Sequence, residues 1–321
     1  MQTRISLITA LLLGVTAASA QAQPAFPSKP MRILVGFEAG GPNDTQARLI
    51  GQKIGEAMGQ QVLVENRPGA DGVIAGEIVA RSTPDGYTMI LVSAGHAINS
   101  NFVKQMPYHA LNDFSAIAQV SSAPFVLVVH PSVPVQTTKE LIQYAKEHPN
   151  ELNYGSTGTG SSLMMAMELF NVMAGIKMHH VPYKGGAPAT SDLIAGRIHV
   201  MMNNAVSSLP NARAGKLRAL AVSTLRRSPS APELPPASDA LPGYEVEAWY
   251  GLLAAKGVPA PIVSRINTEV GKALMQADVR QRFATLGLQP VGGTPEQFGN
   301  FLQNEIRKWV KVVKDSGVTA D

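Results

Sequence analysis

The chain has 321 residues, 45% hydrophobic and 16% charged, with 29 Gly, 23 Pro and no Cys. That is enough chain for one large or two medium cores, and it excludes a disordered polymer, a disulfide scaffold, a thiolate metal site and a cysteine nucleophile. The formal charge of +4, from 27 basic and 23 acidic residues, is spread along the chain and points to solubility rather than to a nucleic-acid partner.

Residues 1–22 read as a targeting signal. Arg4 precedes an apolar run from Ile5 to Val15, and small residues follow in Ala18-Ser19-Ala20 and Ala20-Gln21-Ala22. Charged, apolar and small-residue regions in that order mark a secretory signal with two A-x-A cleavage sites. The apolar run is too short to span a bilayer. The expectation is an exported protein, periplasmic in a bacterium, with a soluble mature chain.

Strands and helices then alternate. The apolar run Met31–Phe37 suits a strand buried on both faces. The turn AGGPND opens a helix ending near Gly59, with Asn43 or Asp44 as its cap. Gln61–Glu65 is a strand, NRPGADG leads into a helix through Ile74, Ile78 and Val79, and Tyr87–Val92 is a third strand. Repeated β-α steps imply a parallel sheet. Ser115–His130 is a long β run interrupted at Ser121-Ser122-Ala123-Pro124, read as a crossing between two lobes.

The second lobe repeats the pattern. Thr137 and Glu140 make a capping box, Leu152–Gly155 is a short strand, and Ser161 or Ser162 caps a helix closed by Gly175. Met178–Pro182, a helix near 188–195, Ile198–Met202 and Leu217–Val222 follow. A Pro/Ser-rich connection at 226–243 precedes a returning strand, Tyr244–Ala255. The last 60 residues read as helical, with a capping box at Thr294 and a core face of Phe298, Phe301, Leu302, Ile306, Trp309, Val310 and Val313. The predicted organisation is a signal at 1–22, one lobe from 23–122 plus 226–321, and a second from 123–225.

Ligands of open α/β sheets sit outside the carboxyl ends of strands, at helix N-termini. Four turns qualify. Phe37–Asp44 carries Gly40-Gly41 and an odd acid, Glu38, which faces solvent or contacts the ligand. Ser93–Asn99 offers a hydroxyl and His96. Tyr154–Ser162 (YGSTGTGSS) has three glycines and five hydroxyl residues, matching neither the dinucleotide fingerprint nor a P-loop. Met201–Ser208 brings Asn203 and Asn204, either of which could cap the following helix.

Catalytic constellations are weak. There is no G-x-S-x-G elbow and no H-E-x-x-H, and His179-His180 face opposite sides of a strand. A Ser161–His96–Asp44 triad can be written down, but nothing orients the histidine. The reading assigns no catalytic residue, no metal and no cofactor. A hydrolase stays as a lesser alternative, beside an extracytoplasmic ligand sensor.

Collinear stretches from residue 24 to 321 carry a resemblance. PSKPMRILVGFEAGGPNDTQAR, VENRPGADGVIAGEIVARSTPDGYT, LNYGSTGTGSS, HHVPYKGGAPATSDLIAGRIHVMMNN, GKLRALAVST and LPGYEVEAWYGL are similar to the Bug family of periplasmic solute receptors, the extracytoplasmic component of tripartite tricarboxylate transporters. The resemblance implies a two-lobed periplasmic binding protein of type II, each lobe a mostly parallel sheet flanked by helices. It implies a non-enzymatic receptor for a small organic carboxylate, with membrane permease subunits as partners, and a monomer is expected. It places Phe37, Ala39 (by its backbone), Asn43, Asp44, Ser93, Thr157, Gly158, Thr159 and Ser161 around the ligand. His96 and Asn99 stand beside them, and Asn203, Asn204 and Trp249 face the ligand's other end. The chain departs from the family pattern at Gly36 (Pro), Glu38 (small apolar), Met164 (often His) and Asn203 (Asp). Losing that acid argues against an α-amino acid ligand, and Glu38 keeps a neutral or amide-bearing ligand open.

Overall fold

A computed structural model describes residues 26–103 and 105–318, so the targeting segment read at 1–22 lies outside the described residues. β1 (Met31–Val35), α1 (Pro42–Met58), β2 (Val62–Asn66), α2 (Val73–Ala80), β3 (Thr88–Ser93) and α3 (Gly95–Phe102) come first. β4 (Phe114–Val129) carries the chain onward to α4 (Thr138–Glu147), β5 (Asn153–Ser156), α5 (Ser162–Ala174), β6 (His179–Pro182) and α6 (Gly186–Ile194). β7 (Val200–Asn204), α7 (Ala205–Arg213) and β8 (Arg218–Val222) follow. β9 (Glu247–Ala255) returns the chain to α8 (Ala260–Met275), α9 (Ala277–Thr285), β10 (Gln289–Gly292) and α10 (Pro295–Ser316).

β1 pairs in parallel with β2 and β3, and β5 pairs in parallel with β6 and β7. These are the β-α steps that the apolar strands and intervening helices predict. Antiparallel strands join the two sets, so each sheet is mixed. β9 lies antiparallel between β3 and β4, and β10 adds to β4 at the edge. Residues 114–124 of β4 pair with β9, while residues 125–129 pair with β7 and β8. Thus β4 belongs to both sheets. It is one continuous 16-residue strand. Pro124 does not interrupt it and sits in register opposite Glu247; the register shifts lie upstream, at Ala116/Ala118 and Gln119/Ser121.

One hydrophobic core spans the second sheet, α3, α5 and α10, and another fills the space under α1, α8 and α9. α10 packs on α3, α5 and β4, and Asn101 Nδ2 of α3 donates to the Ile306 carbonyl (3.3 Å). Its Thr294–Gln297 capping box forms with both bonds in place. Its buried residues are Phe298, Leu302, Glu305, Trp309 and Val312; of the predicted stripe, Phe301, Ile306 and Val313 are half-buried against the core and Val310 is 47% exposed. The last 60 residues also include a strand, β10, that helical periodicity does not anticipate. Among the described residues no helix is long and apolar enough to cross a membrane.

Candidate functional site

The first corner follows β1. α1 begins at Pro42 with Gly41 as its N-cap and no side-chain cap, so neither Asn43 nor Asp44 plays the capping role expected of it. Proline at the first helical position needs no N–H partner, and that moves the boundary upstream. Asp44 holds the loop instead. Its carboxylate accepts from Gly40 N (2.9 Å), Asn66 Nδ2 (3.0 Å) and Arg48 Nε and Nη2 (3.0 and 2.8 Å). The Arg48 bonds hold its carboxyl below the usual range, against the burial that would raise it. With four donors on two oxygens, Asp44 shapes the turn from below.

Asn43 starts the buried stripe that runs through Ala47, Ile50 and Ile54, at the end of α1 nearest the β1 carboxyl terminus. It is 7% exposed, and its Nδ2 has no partner. A buried amide donor left unpaired costs about 1–3 kcal/mol, so an acceptor brought to this position would be favoured. Phe37 is half-buried, whereas Glu38 and Ala39 are exposed.

The second corner follows β3. Ser93, Phe37, His96 and Asp71 line one small cavity with Gly36 and Gly72, so the first two turns converge. Asp71 lies in the loop after β2 and was not among the residues anticipated from sequence. Asn99 Nδ2 donates to its carbonyl (3.2 Å) and to its Oδ2 (3.3 Å). His96 is turned into the core. Its Nε2–H donates to the Ala110 carbonyl (2.8 Å), and its ring stacks on Tyr108 and meets Phe114 edge-on. Burial lowers its pKa to about 4, so the ring is neutral. With His96 bonded to Ala110 and Asp44 to Arg48, the Ser161–His96–Asp44 triad does not assemble.

The third corner follows β5. Ser156 Oγ bonds to Gly158 N and O (both 3.1 Å) and to His180 Nε2 (2.7 Å), folding the loop back on its strand. Ser161 caps α5 by accepting from Met164 N (3.3 Å). Met164 is buried, and its Sδ accepts from Gly160 N (3.2 Å). Thr157, Gly158 and Ser161 are half-buried and Thr159 is exposed. The loop packs against α3: a Cβ on Gly160 would lie 2.9 Å from Phe102 Cε1. The third loop therefore packs against the carboxyl end of α3, the helix that the second corner opens.

The fourth corner ends β7. Asn203 is buried, donating from Nδ2 to Thr190 Oγ1 (3.0 Å) and accepting at Oδ1 from Asn204 N (2.8 Å). Asn204 is exposed and makes no side-chain cap on α7. Trp249 is not at the site. It is 1% exposed, its Nε1 donates to Glu305 Oε2 (2.9 Å), and it packs on Phe298 and Phe301. Alternation along β9 cannot say which face looks into a cleft, and this residue points toward α10.

Two mixed sheets sharing a long strand, with glycine-rich corners at the strand ends, give the architecture of an α/β binding protein. The chain belongs to the tripartite tricarboxylate transporter family receptors, whose family model matches residues 46–318. It is 33% identical to Protein BugT of Bordetella pertussis, over 91% of this chain and 90% of that one. Among solved structures, MatC from Rhodopseudomonas palustris with bound malate is 34% identical with TM-score 0.74, covering 90% of this chain and 100% of that one. R. palustris Rpa4515 with adipate is 37% identical with TM-score 0.77, covering 92% and 99%. Family and fold thus agree with the Bug-type resemblance and with carboxylate receptors.

Proposed function

We propose that the mature chain is a periplasmic receptor that captures a small organic carboxylate between two lobes and presents it to membrane permease subunits. The observation that carries this reading is the cavity that Phe37, Asp71, Ser93 and His96 share at the ends of β1 and β3, with the buried, unpartnered Nδ2 of Asn43 in the first turn of α1. A carboxylate oxygen is the acceptor it lacks. The α5 N-terminus with its hydroxyl-rich loop favours the same charge. Adipate and malate in the two R. palustris relatives fit that chemistry.

The lobes would be residues 23–122 with 226–321, and residues 123–225, hinged on β4 and β9. Ligand contacts would come from Phe37, the Ala39 backbone, Asn43, Ser93, Thr157, Gly158, Thr159, Ser161 and Asn204, with Asp44, His96 and Asn203 supporting them from behind. Capture would close the lobes without chemistry on the ligand, in a monomer whose residues 1–22 direct export. Thermal unfolding of the mature protein against C4–C6 dicarboxylates, citrate, hydroxy acids, aromatic acids and their monoamides tests this. One or a few ligands should raise the melting temperature in a concentration-dependent way, as linkage requires. A flat response across the panel would overturn the proposal.

A further inference from the structure

The loop between β2 and α2 places a carboxylate where the ligand's own would be expected. Ala70 and Asp71 both adopt left-handed backbone, with φ of 47° and 50°, a conformation that non-glycine residues keep only when their surroundings enforce it. Glycines make the room. A Cβ on Gly36 would lie 2.4 Å from Gly72 Cα, and one on Gly95 would lie 2.5 Å from Asp71 Oδ2. Gly95 is the first residue of α3. The Asp71 carboxylate therefore lies against the positive end of that helix, with Asn99 Nδ2 on the same oxygen. The anion seat at the second corner is filled by the chain itself.

Asp44 does the same at the first corner, but there Arg48 cancels the charge. At Asp71 the bonds come from neutral Asn99, and the neighbouring rings are neutral His96 and the Tyr108 phenol. Asp71 is also exposed to solvent, while crowding protein pushes its carboxyl up to about 6. At neutral pH it is an ionised acceptor facing whatever lies next to Phe37 and Ser93.

We infer that Asp71 sets the polarity of the ligand: it accepts a hydrogen bond from a donor at the ligand's far end and repels a second carboxylate there. This rests on the proposed function, in which the ligand's carboxylate is held by Asn43 and the loop 157–161. The preferred class is then a short monocarboxylate with a terminal hydroxyl or amide, rather than a dicarboxylate of equal length. Like charges placed together in a partly desolvated site weaken binding, and an acceptor with no donor to meet gains nothing.

The test is calorimetric titration of the mature protein at pH 8 with matched pairs: succinate and succinamate, adipate and adipamate, with hexanoate as the donor-free control. The wild type should bind the better monoamide at least about tenfold tighter than its dicarboxylate and tighter than hexanoate. Asp71→Asn, which keeps the shape and removes the charge, should lose that preference and gain dicarboxylate affinity by a similar factor. Asp71→Gly, which relieves the left-handed backbone, checks that any change is not misfolding. A wild type that prefers the dicarboxylate, or an Asp71→Asn variant with an unchanged ratio, overturns the inference while leaving the carboxylate receptor intact. Failure of every compound to bind overturns both.

Discussion

Burial of His96 should make the protein lose stability on acidification by an amount that can be worked out. Its pKa is lowered to about 4 by burial, from an ordinary value near 6.5. The unfolded chain therefore takes up this proton first as pH falls. The neutral ring's stability is fully present above about 6.5 and is lost progressively down to about 4. At about 1.4 kcal/mol per pKa unit, acidification from pH 7.5 to pH 5 removes about 2 kcal/mol. Asp71 works in the opposite direction. Its carboxyl is raised to about 6, so its ionisation destabilises the fold as pH rises from about 4 through 6. A whole-protein curve mixes the two, so both proteins compared should carry Asp71→Asn. Urea unfolding of that background with and without His96→Gln, from pH 7.5 to pH 5, then isolates the imidazole. Glutamine can donate to the same Ala110 carbonyl without titrating. The stability difference between the two should shrink by about 2 kcal/mol across this range. A difference that stays flat would refute the account of a neutral, core-packed ring.

The remaining predictions concern binding and packing. Asn43→Ala should leave the unliganded protein within about 1 kcal/mol of wild type, because the lost side chain carries an unsatisfied donor, yet weaken ligand binding by about 5- to 150-fold. Denaturation and titration of the same preparation check both halves, and unchanged affinity would remove Asn43 from the site. Trp249→Phe takes one of two indole donors from the buried Glu305 carboxylate and should cost about 1–3 kcal/mol while leaving affinity alone. Loss of binding in a folded Trp249→Phe protein would return that residue to the cleft.

Much of the frame was legible in the chain. β1, β3 and their following turns stand out because apolar runs end in Gly, Ser or Asn, and α10 because its capping box and stripe agree. α3 was missed as a helix because Gly95-His96-Ala97-Ile98-Asn99-Ser100-Asn101 is poor in helix formers; packing against α10 and the loop at Asp71 supplies what propensity lacks. β10 was missed because four residues at a sheet edge have no periodicity to read. The site was partly legible. Glycine and hydroxyl clustering marks the corners, but which polar groups are already spent is a tertiary fact: Asp44, His96 and Asn203 look available in sequence and are bonded internally. The signal for Asp71 was a lone acid between glycines, which acquires meaning only when Gly36 and Gly95 are seen to admit it.

α10 seals surfaces contributed by α3 and α5, elements about 70 positions apart, and it lies far C-terminal to both. Without Phe298, Leu302 and Trp309 the larger core lacks one wall, while the core under α1, α8 and α9 is complete. The larger core therefore closes only through partners distant in sequence, so its completion waits on the segment that carries α10.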